Sequence, residues 1–549
     1  MPICFDTKCQ MRPVNIGTGM RKRKGLIALL TVICSILSAC AEEEGPGLGQ
    51  PGFVGGFYGG VAADEPHAVI TARDVLTAGG SAADAAVSLA FSLAVTLPTR
   101  AGLGAGGSCL VHDAGLGLTE ALDFVPRIGT GKGPLPTTIP TLARAMLVLH
   151  ARYGRLDWRE IVTPAEQLAR FGFRPSKALR HELNALWPLI QRDPTALKVF
   201  GGDTGSVPTD KTVLRQVQLA SMIGQIRIRG AGVLYSGSVS QTVSDSIKNV
   251  GGTVSVSDLR GFVPEWRIPV ATPFFDSRTL FTAPPPDNGG VPLAQVSSLI
   301  DRDSRFRQEQ DTDRAYVLAE ALQQSIQGRD DWINTVGLPI ENLEYFVSED
   351  KLDAMSGAID NNRTANLPPA KEIPVTTGGS TGFVVVDHEG MVVACSMTLG
   401  GPLGVGRMLD EFGFYPGRAP GRGGSWLTPV IVASELTYQM YYASGGTDGS
   451  SGVAATLSLL AGIRSEGSSL DEAVSAPRFF LNPRREEILV EPGLDPAAFT
   501  SRGHTTRTGH SPSRLNVVYC PSGYPVKEEV RRCAIASDKR GNGLAVLAE

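Results

Sequence analysis

The residues best suited to chemistry lie in one stretch, Thr377-Gly378-Gly379-Ser380-Thr381-Gly382, followed by Phe383-Val384-Val385-Val386-Asp387. A glycine-lined run carrying hydroxyls opens directly into a β-branched strand. A Ser or Thr thus stands at the strand's first position with an unhindered peptide bond behind it. That order suits a nucleophile uncovered by cutting the chain. The Ser380 hydroxyl would attack the Gly379 carbonyl, the peptide would shift to an ester, and hydrolysis would free an α-amine on Ser380. Such an amine, with a reference pKa of about 7.7–8.0, is partly neutral near pH 7 and can take the proton of its own hydroxyl. No histidine or aspartate partner is then required, and none of the seven histidines has an obvious catalytic partner. Composition alone leaves Thr376, Thr377 and Thr381 open beside Ser380. Strand register favours Ser380.

Residues 382–386 and 392–397 are both apolar and β-prone, and Asp387-His388-Glu389-Gly390 between them is turn chemistry, which predicts a hairpin. Thr398 then falls opposite Ser380, or within one residue of it. Gly378–Gly382 also satisfies G-x-S-x-G, but that elbow needs a strand before the serine and a helix after it. Here a loop precedes and a strand follows. Gly102–Gly107 formally satisfies G-x-G-x-x-G, yet a predicted helix precedes it and a strand, Ser108–His112, follows, the reverse of the dinucleotide-binding order. Close backbone approach beside a pocket is the better reading. Further on, strands at 429–433 and 437–443 lead to Ser444-Gly445-Gly446-Thr447 and a helix over 451–464. The Gly445 and Gly446 amides suit an oxyanion hole, and equally a tight turn.

The remaining elements must position these groups. With 549 residues, 42% hydrophobic and 19% charged, the chain can bury a large core, and its net charge of −4 gives no nucleic-acid footprint. Ser81 and Asp84 form a capping signal ahead of Ala82–Leu97, a nearly all-apolar helix that must be covered on both sides. Amphipathic helices are predicted over 141–152, 163–171, 213–228, 238–249 and 312–328. Ala283-Pro284-Pro285-Pro286-Asp287-Asn288-Gly289-Gly290 breaks the pattern as a loop, and 356–379 reads as an exposed connection leading to a cleavable bond.

Residues 1–39 read as a signal peptide, with Arg21-Lys22-Arg23-Lys24 ahead of an apolar run, Gly25–Ile36, that is short for a membrane span. Met20 is a plausible start. Leu37-Ser38-Ala39-Cys40 resembles the lipobox of bacterial lipoproteins, which would lipidate Cys40 and anchor the protein in a membrane; a secretory signal cut elsewhere is the alternative. Residues 40–60 suit a tether. The expected location is periplasmic or at the cell surface. Of eight cysteines, Cys109 and Cys395 read as buried thiols, while Cys520 and Cys533 could pair in an oxidising compartment. With no CxxC or HExxH, neither a metal nor another cofactor is expected.

In order and spacing, several of these pieces together resemble the γ-glutamyltranspeptidases, or glutathione hydrolases, from about Gly60 to Val490. They are Gly79–Val87, Gly102–Gly107, Asp123-Phe124, Pro284–Gly290, Ala319-Glu320-Ala321, the hairpin, Gly445-Gly446 and Ala476-Pro477-Arg478-Phe479. The resemblance implies an α+β fold, a four-layer αββα Ntn-hydrolase sandwich. It also implies a precursor that cuts itself between Gly379 and Ser380 into a large chain (61–379) and a small chain (380–549). Ser380 falls where the family has its nucleophilic Thr, Thr381 at the Thr that follows, and Thr398 at the Thr that hydrogen-bonds the nucleophile. Gly445 and Gly446 match the oxyanion glycines, Ser425 lies near a substrate-binding serine, and Gly400 replaces an Asn. The family's carboxylate-binding Arg is Val125 here; Arg127 or Arg100 could substitute. Asp410 and Glu411 are candidates for the substrate's amino group under a shifted alignment. The expected substrate is a small γ-glutamyl compound of the glutathione type. The alternatives are an amidase or acylase with another acyl preference, and an uncleaved, inactive binding lipoprotein.

Overall fold

Strands buried on both faces organise the molecule, and their side chains alternate between two different cores. The computed structural model describes residues 58–307, 311–333, 343–365, 378–420, 424–463, 469–482, 487–525 and 533–548. The signal segment, Cys40, nearly all of the tether and Thr377 lie outside the described residues.

An antiparallel sheet runs in the order β16 (Leu544–Ala548), β1 (Gly59–Ala63), β7 (Ser380–Asp387), β8 (Val392–Thr398), β2 (Gly106–Asp113), β3 (Leu118–Phe124), β4 (Glu265–Arg267). A second antiparallel sheet runs β15 (Ala534–Ser537), β14 (Leu515–Tyr524), β10 (Met440–Gly446), β9 (Thr428–Ala433), β6 (Arg278–Thr282), β5 (Val270–Phe274). A small third sheet joins β11 (Phe479–Asn482), β12 (Glu487–Val490) and β13 (Thr505–Thr508).

Along β7, Val384 and Val386 meet Ile431, Ala443 and Val518 of the second sheet, whereas Phe383 and Val385 face the helices beyond the first. Strand pleating forces this alternation. It explains why a strand buried on both faces is written as the unbroken apolar run Phe383–Val386. Each such side chain contributes on the order of 1.5–3 kcal/mol. Helices Gly290–Arg302, Asp311–Gln327 and Ser450–Gly462 cover the outer face of the second sheet. The layers are therefore helix, sheet, sheet, helix, the expected αββα sandwich.

Helix Ala82–Thr96 is buried over its whole length, and Ser81 and Asp84 close the predicted capping box. Its first amide, Ala82 N, also donates to Asp387 Oδ2 at 2.9 Å, which ties the helix to the turn of the β7–β8 hairpin. Where β7 crosses β10 the two sheets touch through glycine. A Cβ on Gly382 would lie 2.6 Å from the Gly445 carbonyl carbon, and one on Gly445 2.5 Å from Phe383 N.

Cys109 and Cys395 are not free thiols: they sit directly opposite each other in the β2–β8 ladder, Cα atoms 4.1 Å apart, and form a disulfide. Their 286-residue separation hides the pairing from any local pattern. Cys520 and Cys533 form the second disulfide, as expected.

Candidate active site

The β7–β8 hairpin has the anticipated register, with Ser380 directly opposite Thr398. Thr398 in turn pairs with Gly106 of β2, and Gly107 with Phe124 of β3. Ser380, Thr398, Gly106 and Val125 thus line one edge of the first sheet. Ser380 shares a strand face with Val384 and Val386, so its side chain points between the two sheets, beyond the Gly382–Gly445 contact. It is 5% exposed.

Three hydrogen bonds fix the protons. Ser380 Oγ and Thr398 Oγ1 are 3.0 Å apart, Thr398 Oγ1 lies 3.2 Å from the Gly379 carbonyl oxygen, and Gly400 N lies 2.9 Å from Thr398 Oγ1. The Gly379 oxygen can only accept, so the single Thr398 proton goes to it. Ser380 must then donate to Thr398. Leu399 N–H supplies a second donor to the Gly379 oxygen at 2.9 Å. Gly379 itself has φ +88°, and a Cβ there would lie 2.1 Å from the Gly401 carbonyl carbon, so only glycine fits before Ser380.

Arg100 is built into the nucleophile. Its Nη1 donates to the Ser380 carbonyl oxygen and to Asp448 Oδ2, both at 3.1 Å, and its Nε donates to Glu182 Oε1 at 3.0 Å. Arg514 Nη2 reaches the same Glu182 oxygen at 2.6 Å. Burial works against these charges, but Asp448 and Glu182 outweigh it for Arg100, whose pKa is raised. Likewise burial pushes the Glu182 carboxyl up, while Arg100 and Arg514 bring it below its ordinary value.

Gly445 and Gly446 do not have the geometry expected of oxyanion donors. Both lie inside β10, flanked by β9 on one side and β14 on the other. Strand amides point along the sheet plane, not out of its face toward Ser380. Their smallness instead lets the sheets approach, and Ser396 Oγ donates to the Gly446 carbonyl at 2.8 Å. The available amides come one turn later. Asp448 (φ +69°) and Gly449 (φ +67°) turn the chain into helix Ser450–Gly462. Among the described residues the amides of Asp448, Gly449 and Ser450 have no hydrogen-bond partner. They open a helix N-terminus, which favours negative charge, and Arg100 ties Asp448 to Ser380.

The other anticipated residues divide. Gly400 supports Thr398 through its amide; at φ +73°, and with the Arg418 carbonyl oxygen only 2.1 Å from where a Cβ would sit, it has no room for a side chain. Ser425 is buried on the segment entering β9, its carbonyl accepting from Asn288 N at 2.9 Å and Nδ2 at 3.1 Å, and its hydroxyl has no partner among the described residues. Thr381 does not open toward Ser380's face: strand alternation turns it to the other side, where its hydroxyl donates to Asp64 Oδ2 at 2.9 Å. Arg127 is held by Asp123 at 2.9 Å. Asp410 is exposed, accepts from Thr195 at 3.3 Å and, with Glu411, lines a separate cleft with Asp193 and Ser246. Neither acid is brought to Ser380.

Sequence reasoning missed Asp448, Glu182, Asp64 and Asn516. Asn516 Nδ2 bridges Asp64 Oδ1 at 2.9 Å and the Gly382 carbonyl at 2.8 Å. It also missed Asp287, whose Oδ1 accepts from Gly289 N and Leu427 N, both at 2.9 Å. Burial raises the Asp287 carboxyl well above its ordinary range.

A protein-family model described as Gamma-glutamyltranspeptidase matches residues 68–419. The chain belongs to the gamma-glutamyltranspeptidase family. Among relatives of this gamma-glutamyltranspeptidase-family chain, the glutathione hydrolase proenzyme of Escherichia coli K12 is 25% identical over 531 residues, covering 86% of this chain and 90% of that one. The capsule biosynthesis protein CapD proenzyme of Bacillus anthracis is 27% identical over 401 residues, covering 69% and 71%. In fold, the chain is similar to cephalosporin acylase from Bacillus halodurans, with TM-score 0.75, 18% identity, and 89% of this chain and 96% of that one covered. Gamma-glutamyltranspeptidase from Helicobacter pylori gives TM-score 0.51 at 22% identity, over 56% and 95%. The Ntn-hydrolase architecture of the family is the one described above.

Proposed function

We propose that this chain is an acyl-transfer enzyme that matures by cutting itself before Ser380 and then hydrolyses or transfers γ-glutamyl groups of glutathione-type substrates. One observation carries the reading: the Ser380 hydroxyl donates to Thr398, which donates to the carbonyl oxygen of the peptide bond behind Ser380. In maturation, Ser380 Oγ bonds to the Gly379 carbon while its proton moves toward Thr398. The Thr398 proton and Leu399 N–H face the oxygen on which charge develops. Collapse breaks the Gly379–Ser380 C–N bond as the proton taken from the Ser380 hydroxyl passes by way of Thr398 to the departing nitrogen, leaving an ester and an α-amine, and water then hydrolyses the ester. In turnover that amine takes the hydroxyl proton and returns it to the leaving amine. The amides of Asp448–Ser450 are the donors for the substrate oxyanion. Two relatives named as proenzymes support a cleaved precursor.

A second reading, an amidase or acylase with a different acyl preference, is favoured by Val125, which supplies no charge where the family resemblance expects an Arg. We also infer an exported protein anchored through Cys40; the two disulfides support an oxidising compartment. Loss of membrane association in Cys40→Ser tests the anchor.

A reducing denaturing gel tests the main reading. Two bands, the smaller beginning at Ser380 and absent in Ser380→Ala, are expected; a persistent single band points to an inactive binding protein. Turnover of a γ-glutamyl anilide against simple acyl anilides divides the two enzyme readings.

A further inference from the structure

Strand β7 runs from Ser380 to Asp387, so Asp387 ends it at the opposite edge of the first sheet, about 23 Å from Ser380 at roughly 3.3 Å per residue. Three turns and the start of the described chain meet at that edge. Gly59 pairs with Asp387, and Tyr58 N, in the first described residue, donates to Ala548 O at 2.7 Å. A Cβ built on Gly390, in the β7–β8 turn, would lie 3.0 Å from Ala114 Cβ in the β2–β3 turn. One built on Gly117, also in the β2–β3 turn, would lie 2.6 Å from the ring of Tyr438 in the β9–β10 turn. His112 Nε2 is 2.8 Å from the Tyr438 carbonyl oxygen. The chain therefore enters the folded body beside these turns, away from the edge that holds Ser380 and Thr398.

The β2–β3 and β9–β10 turns carry apolar side chains outward. Leu116 is 68% exposed, Leu118 38%, Leu436 80% and Tyr438 45%. Single exposed leucines need no explanation, but four such side chains on two touching turns make a patch. The backbone beneath them asks little of water. Asp113 Oδ1 accepts from Gly115 N at 2.9 Å and Leu116 N at 3.1 Å. Ser434 Oγ accepts from Leu436 N at 3.2 Å and Thr437 N at 3.1 Å, and Tyr438 N donates to Ser434 O at 2.8 Å. Turn tips whose amides are already paired can leave water without orphaning a donor. A tyrosine, apolar in its ring and polar at its tip, suits the headgroup level of a bilayer. Asp113, Glu389 and Glu435 also stand at this edge, and Arg155 pairs with Glu389. The described surface is thus not the basic kind that anionic headgroups attract, and its attraction to lipid is apolar.

Residues 41–57, seventeen in all, separate Cys40 from Tyr58. A glycine-rich coil of that length averages about 20–25 Å from end to end, so a lipid on Cys40 keeps the Tyr58 edge close to the bilayer it enters. We propose that this edge of the sandwich docks on the lipid surface, with Leu116, Leu118, Leu436 and Tyr438 at the headgroup level and the Ser380 edge turned to the water. The inference rests on the reading that Cys40 is the anchor and goes beyond it, because an anchor on a flexible tether sets no orientation. Four side chains are too few to hold the protein on a membrane by themselves. With the anchor in place their contact is intramolecular, and a weak attraction suffices. An active site held at the far edge takes water-borne donors, not ones embedded in the bilayer.

The test uses the full-length protein, lipidated in a bacterial host and reconstituted sparsely into phosphatidylcholine vesicles. Cys4, Cys9 and Cys34 leave with the signal, Cys40 takes the lipid and the other four cysteines form disulfides, so one introduced cysteine alone takes a thiol-reactive, polarity-sensitive dye. Leu436→Cys and, independently, Leu116→Cys report on the patch. Leu189→Cys reports on the other edge, from a 44% exposed position on helix Lys177–Ile190, which carries Glu182 to Arg100. The dye at 436 or 116 is expected to shift to the blue on reconstitution and to be quenched by phosphatidylcholine brominated near the headgroup end of its chains, while the dye at 189 does neither. Adding Leu116→Ser and Tyr438→Ser should remove the shift at 436 and leave the protein attached. Equal signals from 436, 116 and 189 in protein that floats with the vesicles overturn the docking and leave the anchor standing. A shift seen only when each vesicle carries many copies means that a second copy of the chain covers the patch, and overturns the docking as well. Protein that does not float with the vesicles overturns the anchor reading and this inference with it.

Discussion

Ser380 and Thr398 face each other across the β7–β8 ladder with their hydroxyl oxygens 3.0 Å apart, and the proton on Ser380 points at Thr398. Thr398→Ala removes both the acceptor for that proton and one of the two donors to the Gly379 oxygen. Self-cleavage is expected to slow by about 10²-fold or more, the range for a lost acid–base or oxyanion group. Thr398→Ser, which keeps the oxygen and the proton, should retain most of the rate. A time course on a reducing gel measures both; cleavage of Thr398→Ala at the unaltered rate would remove Thr398 from the mechanism.

Two glycine positions separate a packing role from an electrostatic one. Gly445→Ala puts a methyl 2.5 Å from three backbone atoms of the facing sheet, a clash with no flexible side chain to yield. It should cost about 1–3 kcal/mol or more of stability, seen as a lower Tm. Gly449→Ala instead disturbs the φ +67° turn that presents the amides before helix Ser450–Gly462. There kcat should fall by roughly 10²–10³-fold, the cost of losing one oxyanion donor, with the smaller change in Tm. The opposite pattern would return the oxyanion role to Gly445 and Gly446.

The hairpin was legible because its signals are local: a glycine-lined entry, two apolar runs, and turn residues between them set the register of Ser380 against Thr398. Ser81 and Asp84 announced their helix for the same reason. The ion cluster was not legible. Arg100 meets Glu182 and Asp448 across separations of 82 and 348 residues, and nothing near any of them in the chain marks the contact. Gly445 and Gly446 misled because a pair of glycines at a strand end reads alike whether their amides are free or lie in a ladder. Only β14, arriving some seventy residues later, settles which.

The disulfide between Cys109 and Cys395 makes a prediction about the cleaved protein. Cys109 belongs to the large-chain region and Cys395 to the small one, while Cys520 and Cys533 both lie in the latter. After cleavage before Ser380 the two chains should stay covalently joined. A non-reducing denaturing gel would show one band near full mass, and reduction would split it in two. Cys109→Ala should give two bands under both conditions and lower stability by about 2–4 kcal/mol.

Asp287 gives a pH test of the loop beside Ser425. Its carboxyl is fully buried, Oδ1 takes two amide hydrogen bonds, and Oδ2 has no partner among the described residues. Burial raises its folded-state pKa well above the ordinary 3.8. Below that ordinary value the group is protonated whether the chain is folded or not, and it carries no penalty. As pH rises toward the folded-state pKa, the unfolded chain binds fewer protons than the folded one, so stability falls. Asp287→Asn keeps an oxygen for Gly289 N and Leu427 N and removes the ionisation. The variant should therefore have a higher Tm than the unaltered protein at about pH 7 and no advantage at about pH 3. Thermal melts across that interval measure the difference, and a gain that does not grow with pH would mean that the Asp287 carboxyl ionises as freely in the folded chain as in the unfolded one.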